Sequence, residues 1–443
     1  MALGRTLLAA ATIVALGSGL AEAQTQPIKI EFWHAMTQPL GGMLEDIVAG
    51  FNASQKTYHV DAVFKGEYPQ VMTAAIAAFR AGKAPDIVQM FEVGTATMMA
   101  AKGAVEPVYQ LLKQSGAAFD PDDYIPAVRG YYSTPDGKML SLPFNSSTPI
   151  MFYNKDAFKK AGLDPEKPPL TWPDTIAAAK KLKAAGIACP LTTSWPSWIQ
   201  VENFSAIHNI PLATEANGMK GLGAKLEINQ PLDVKHIQNL VDMEKEGLFK
   251  YAGRTSAGDA LFPSGECAMI HASSGLRGRI IREAKFAWGA APLPYRTDVK
   301  GAPKNSIIGG ASLWVLKAPK RSAKEYKGIA AFFAYLSRPE VLAKWSTETG
   351  YLPVTKASFE AVKKSGYYEK NPDAAIPYEQ LTRTEPTENS RGLRLGNMPE
   401  IRNIILEDLE KAFQGKMTVK AALDDAVARG NAVLRAFERA NKS

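Results

Sequence analysis

Alternating apolar and polar positions dominate the early chain. Ile28, Ile30 and Phe32 fall on every second position and predict a strand ending near His34. Leu40, Met43, Leu44, Ile47, Val48 and Phe51 then recur at helical spacing. Tyr58, Val60, Ala62 and Phe64 alternate again. Met72, Ile76 and Phe79 mark a second helix closed by Gly82, and Ile87 to Met90 make a third strand. This βαβαβ order predicts a mostly parallel sheet with helices on both faces, in which ligands sit at the carboxyl ends of strands. Two polar segments fall there, GEYPQ (66–70) and FEVGT (91–95), so Tyr68 and Glu92 become candidate ligand contacts.

The middle of the chain reads as a second α/β unit. Leu142 to Ser147 leads into an apolar strand, Ile150–Tyr153. Thr171-Trp172-Pro173-Asp174 starts a helix as a capping-box variant, and Gly186 ends it. Cys189–Ser194 and Cys267–His271 read as short strands. Trp195 and Trp198 flank a proline in a polar run, which predicts a loop and offers a flat apolar wall. Leu293-Pro294 and Gly350-Tyr351-Leu352-Pro353 read as places where the chain changes lobes. Ile307–Ser312 enters a strand at Leu313–Leu316, and from about Lys356 the chain is largely helical. The apolar run 329–336 reads as a core helix.

Near the C-terminus, GLRLGNMPEIR (392–402) places Asn397 as N-cap, Pro399 in the first turn, and an apolar stripe of Ile401, Ile405 and Leu409 behind them. A helix start favours an anion, and Arg402 or Arg394 can offer a two-pronged donor to phosphate.

Length and composition narrow the class. Residues 1–23 read as a leader: Arg5, an apolar stretch from Leu7 to Leu20, and Ala21-Glu22-Ala23 as the cleavage signal. No cysteine follows the expected cut, so no lipid anchor is expected and the mature chain should be free in solution. A chain of 443 residues exceeds the roughly 250–300 at which one core stops growing, so two lobes are expected. The net charge of +8 is spread without a Lys/Arg block, which argues against nucleic acid and suits an acidic small ligand. Cys189 and Cys267 are the only cysteines, and two buried free thiols are expected.

Catalytic patterns are missing. The five histidines have no metal-ligand spacing, and there is no G-x-S-x-G, no phosphate-binding P-loop and no G-x-G-x-x-G. Neither a metal nor a cofactor is expected. Acidic residues are plentiful and their separations are not readable from sequence, so glycoside hydrolysis stays open. The strand-end Tyr, Glu, Ser, Gly, Trp and Arg suit a small anionic polyol.

Several strings carry a family resemblance. APDIVQM (84–90), YNKDAFKKAGLDPEKPPLTWPD (153–174), FPSGECAM (262–269) and TGYLPVT (349–355) resemble the extracellular solute-binding proteins of ABC importers, the maltose-binding-like group. PFNSSTP (143–149), WIQVENFSA (198–206), IIGGASLWV (307–315) and GLRLGNMPEIR narrow it to the branch that binds sn-glycerol 3-phosphate. The resemblance covers the mature chain. It implies a two-lobed periplasmic-binding-protein fold (type II), each lobe a mixed sheet flanked by helices, joined by hinge strands. Residues 24–144 with 293–350 would form lobe 1, and 145–292 with 351–443 lobe 2. By position it implies a ligand site of Tyr68, Glu92, Ser147, Trp195, Trp198, Ser273, Gly310, Tyr351 and Arg402. Arg402, Ser273, Tyr351 and the Gly310 backbone would hold phosphate, and Tyr68, Glu92 and a tryptophan the glycerol end. Phe91 stands where relatives can carry tyrosine. Capture without chemistry is implied, by a periplasmic monomer that delivers its ligand to membrane permease and ATPase subunits. Glycerophosphocholine is a second expected ligand, with Trp195 facing the choline. A neutral-sugar binder of the same fold is the nearest alternative, and an exported phosphodiesterase or glycosidase the alternative from another class.

Overall fold

The computed structural model describes Met1, residues 26–116, 119–134 and 136–442, so the expected leader lies almost wholly outside the described residues. Two sheets organise the chain. The first contains β1 (Ile28–His34), β2 (Tyr58–Phe64), β3 (Ile87–Phe91), β4 (Val105–Glu106) and β5 (Leu142–Ser147). The second contains β6 (Pro149–Asn154), β7 (Cys189–Thr193), β8 (Phe249–Tyr251), β9 (Cys267–Ser273) and β10 (Trp288–Ala291), after which β11 (Gly309–Leu316) returns to the first. Their orders are β2-β1-β3-β11-β4, with β5 also on β11, and β10-β6-β9-β7-β8.

The expected parallel core is present in β2-β1-β3. The sheet as a whole is mixed, because β11 comes back from the other sheet and runs antiparallel to β3, β4 and β5. A strand that crosses between lobes enters from the far end of the sheet, so its direction is set by the crossing and not by a βαβ unit. Between β5 and β6 only Thr148 intervenes, so the chain crosses there; the expected boundary at 144/145 falls inside β5. Past Tyr351, Leu352 N–H donates to the Ser146 carbonyl and the Val354 carbonyl accepts from Ile125 N–H, which holds this stretch against β5 and the segment before it. Thr355 then bridges to Tyr124, and the helices that follow include Met398–Phe413 and Val419–Asn441.

The periodic positions form the cores. Ile30, Phe32, Leu44, Val48 and Phe51 are buried with Phe332 and Phe333 from the helix Ala323–Leu336, which is the expected core helix at 329–336. In the helix Tyr68–Arg80 the buried face is Val71, Met72 and Ala75, while Phe79 is exposed. Among the described residues no helix is long and apolar enough to cross a membrane.

The cysteines depart from expectation. Cys189 and Cys267 face each other in register on parallel neighbours β7 and β9, with Cα atoms 4.5 Å apart, and form a disulfide. Registered pairing brings them within bridging reach despite 78 residues of separation.

Candidate functional site

A cavity of about 110 Å3 lies between the two sheets, and all nine residues singled out from the sequence line it. Tyr68 opens the helix after β2, and Glu92 starts the 3-10 turn after β3. Ser147 ends β5 and Ser273 ends β9. Gly310 is the second residue of β11, opposite Ser146, and Tyr351 follows the helix Pro339–Thr349. Thr37, Gln38, Glu67, Ser256, Asp259 and Arg279 also line the cavity and were not singled out from sequence.

Arg402 is the most heavily engaged residue. It occupies the apolar stripe of its helix between Met398 and Ile405, and only 7% of it is exposed. Its Nε and Nη2 donate to the two Glu202 oxygens at 2.7 Å each, and Nη2 also donates to Glu92 Oε1 at 2.6 Å. Neither carboxylate engages Nη1. Burial raises the Glu92 carboxyl above its usual range and the neighbouring Glu202 charge adds to this, while Arg402 opposes both. Arg394, the alternative phosphate arginine, is absent from the lining: its Nη2 donates to the carbonyls of Gly130, Tyr131 and Ser133.

Asn397 does not cap with its side chain as expected. It adopts a left-handed backbone (φ 52°) and supplies its carbonyl to the N–H groups of Glu400 and Ile401. Asparagine tolerates that conformation. Met398 to Ile401 do not line the cavity, so Arg402, and not the helix start, represents this element in the site.

Trp195 keeps the expected loop position, in the connection after β7, whereas Trp198 is helical. Trp195 has a left-handed backbone (φ 46°) and leads into a π-helical segment, Ser197–Asn203, whose residues are all buried. Trp198 both lines the cavity and packs with Ile199, Ile207 and Leu293. Its ring covers Gly309, where a Cβ would come within 2.3 Å. The same segment supplies Glu202 to Arg402. Helices of i→i+5 type are rare and often sit at functional sites.

A buried relay fixes Tyr68. Gln89 accepts from Ala35 N–H (2.7 Å) and donates to Asn145 Oδ1 (2.8 Å), and Asn145 Nδ2 donates to the Tyr68 hydroxyl (2.8 Å). Phe91, the noted departure, stacks on Tyr68 with centroids 5.4 Å apart. Burial raises the Tyr68 hydroxyl well above the ordinary phenol range and pushes Tyr351 up to about 12, so both remain neutral donors at physiological pH. Tyr351 stacks on Trp345 and lies against Gly275. Gly310 holds φ +90°, and a Cβ there would meet the Asn145 carbonyl oxygen at 1.8 Å; glycine is required. Asp259 is raised to about 6 by burial, which the nearby Ser194 hydroxyl and the Arg279 charge oppose. Among the described residues no cluster of His, Cys, Asp or Glu could hold a metal ion.

Residues 37–343 match the family model of bacterial extracellular solute-binding proteins. The chain belongs to that family. It is 50% identical over 415 residues, 94% of each chain, to the sn-glycerol-3-phosphate-binding periplasmic protein UgpB of Yersinia pseudotuberculosis. It is 48% identical over 434 residues, 98% of each chain, to the UgpB of an Escherichia coli O6:K15:H31 strain. The crystal structure of UgpB from Mycobacterium tuberculosis in complex with glycerophosphocholine superposes with a TM-score of 0.77 at 23% identity, covering 93% of this chain and 99% of that one. The fold is thus the two-lobed α/β architecture of periplasmic binding proteins, and the family is one of binding proteins and not of enzymes.

Proposed function

We propose that this protein is the periplasmic solute-binding component of an ABC importer, capturing sn-glycerol 3-phosphate, and glycerophosphodiesters such as glycerophosphocholine, between its lobes for delivery to a membrane permease. The observation that carries this reading is the near-full-length 50% identity to proteins named for that ligand. The common cavity of the nine candidate residues supports it.

The surroundings of Arg402 revise the expected division of labour. Two carboxylates already face this guanidinium, so a phosphate placed beside it meets Glu92 and Glu202 as well. Like charges at such distances disfavour one another. The triad instead suits hydroxyl groups, with the carboxylate of Glu92 accepting and Nη1 of Arg402 donating. The phosphate then falls to neutral donors: Ser147, Ser273, Tyr68, Tyr351 and the Gly310 backbone. Such donors bind an anion without a buried unpaired charge when the ligand is absent.

Closure follows from differential affinity, because the proposed contacts come from both lobes and are complete only when these meet. Isothermal titration calorimetry against sn-glycerol 3-phosphate, glycerophosphocholine, maltose and ribitol tests the reading. Saturable binding of the phosphorylated ligands with none for maltose or ribitol is expected. Tight binding of maltose alone, or steady hydrolysis of glycerophosphocholine on long incubation, would overturn it.

A further inference from the structure

Glu67 precedes the helix Tyr68–Arg80 and occupies its N-cap position, yet its side chain makes no cap hydrogen bond to that helix. It points across the cleft. Its Oε2 accepts from Thr255 Oγ1 at 3.0 Å and its Oε1 accepts from Ser256 Oγ. Glu67 follows β2 of the first sheet, whereas Thr255 and Ser256 follow β8 of the second, so this carboxylate joins the two lobes directly.

The receiving loop is built for the contact. Arg254 is clamped to Glu410 through Nε (2.8 Å) and Nη2 (2.6 Å), and Glu410 also accepts from the Tyr251 hydroxyl (3.0 Å). Glu410 lies on the helix that carries Arg402, so the loop is tied to the lobe that supplies that side chain. Thr255 holds a left-handed backbone (φ 46°), which a β-branched residue rarely adopts. Its carbonyl accepts from Trp195 N–H at 2.7 Å. Gly258 closes the loop against the Thr193 carbonyl, where a Cβ would approach to 2.6 Å. Strain of this kind persists where surrounding contacts hold it, and here those contacts are the Trp195 N–H and the Glu67 carboxylate.

We propose that Glu67 with Thr255 and Ser256 forms an interlobe latch that sets how long the closed state retains its ligand. Glu67 is a positioning residue in this role. It acts on the hinge equilibrium, and Thr255, which is absent from the cavity lining, acts only through it. Two hydroxyl-to-carboxylate bonds exist only while the lobes are together, so they slow opening and leave encounter with the open form unchanged.

The inference rests on the ligand reading above for its kinetic readout, and the two are separable. Wild-type calorimetry with sn-glycerol 3-phosphate and glycerophosphocholine comes first. If neither binds, the ligand reading is overturned alone, and the kinetic series runs with whichever of maltose or ribitol binds. Stopped-flow tryptophan fluorescence then gives the rates. Glu67→Ala should raise koff about tenfold with kon within about twofold of wild type. Thr255→Val and Ser256→Ala should each raise koff about threefold, and Glu67→Gln, which keeps one acceptor oxygen, should fall between Glu67→Ala and wild type. In the Glu67→Ala/Ser256→Ala double variant, loss of serine should add nothing to loss of glutamate. Unchanged koff in Glu67→Ala and Thr255→Val, an effect confined to kon, or additive single effects would each overturn the latch.

Discussion

The cleft contains two sets of polar groups held in opposite ways. In one, Arg402, Glu92 and Glu202 are charged partners that satisfy one another almost completely across the cleft. In the other, Ser147, Ser273, Tyr351 and the Gly310 backbone are neutral groups fixed by strand ends and packing. The first set carries structural as well as recognition duties, because removing one member strands the others in a buried setting. The second can be trimmed one hydroxyl at a time with local consequences. Substitutions in the charged set should therefore disturb stability and affinity together, and hydroxyl removals should disturb affinity alone.

Arg402→Ala is the largest break. It leaves two buried carboxylates facing each other, which should cost about 3–5 kcal/mol of folding stability. Glycerophosphocholine affinity should fall at least about a hundredfold. Thermal melts and calorimetry on the same preparation check both halves, and normal stability with lost affinity would show that the triad is not holding the lobes. Gly310→Ala comes next. The added Cβ meets the Asn145 carbonyl oxygen at 1.8 Å with φ at +90°, so β11 must shift from β5. About 3 kcal/mol of destabilisation is expected from strain and overpacking, read as a lowered melting temperature.

Much of this site was legible in the sequence, for identifiable reasons. The strands β1 and β2 alternate at a period of two, the helix Leu40–Ser54 repeats at 3.6, and β3 is a short run buried throughout, so the ends where Tyr68 and Glu92 sit followed from these patterns. Arg402 interrupts an otherwise apolar stripe, a sign of a buried partner. That partner stayed hidden because Glu202 lies in a π-helical segment with every residue buried, which has no amphipathic period. Asn397 has the right chemistry for a cap and uses its backbone instead. The disulfide depends on register between strands 78 residues apart, which no local pattern encodes. Glu67 and Asp259 gave no signal, since a polar residue at a strand end looks the same whether it faces water or another lobe.

Asp259 stands apart from both sets: a cavity-lining carboxyl with one buried oxygen lacking a partner and its acidity displaced to about 6. Burial is the main cause, so the folded state holds the proton more tightly than the unfolded one, whose ordinary value is 3.8. The associated stability is fully present below that ordinary value and is lost as pH rises through about 6. Asp259→Asn removes the titration. Its melting temperature should match wild type near pH 4 and exceed it at pH 8 by an amount equivalent to about 2–3 kcal/mol. An equal difference at both pH values would mean that packing, and not charge, distinguishes the two side chains.

The smallest expected effect is the sharpest test of the neutral set. Ser273 closes β9, and its Oγ accepts from Gly275 N–H at 3.2 Å, a long and weak bond that adds little to the turn. Ser273→Ala removes that acceptor and one donor to the cavity while keeping the backbone. The unfolding midpoint should move by less than about 0.5 kcal/mol, as for substitutions outside packed or ion-paired features. The hydroxyl does more for an anion than for the turn: a hydrogen bond to a charged oxygen is stronger than a neutral one. Affinity for sn-glycerol 3-phosphate should fall about ten- to thirtyfold, while any binding of glycerol alone should hold within about twofold. If the loss were the same for both ligands, Ser273 would be reading a carbinol and the phosphate would belong beside Arg402 after all, with Glu92 protonated to make room for it.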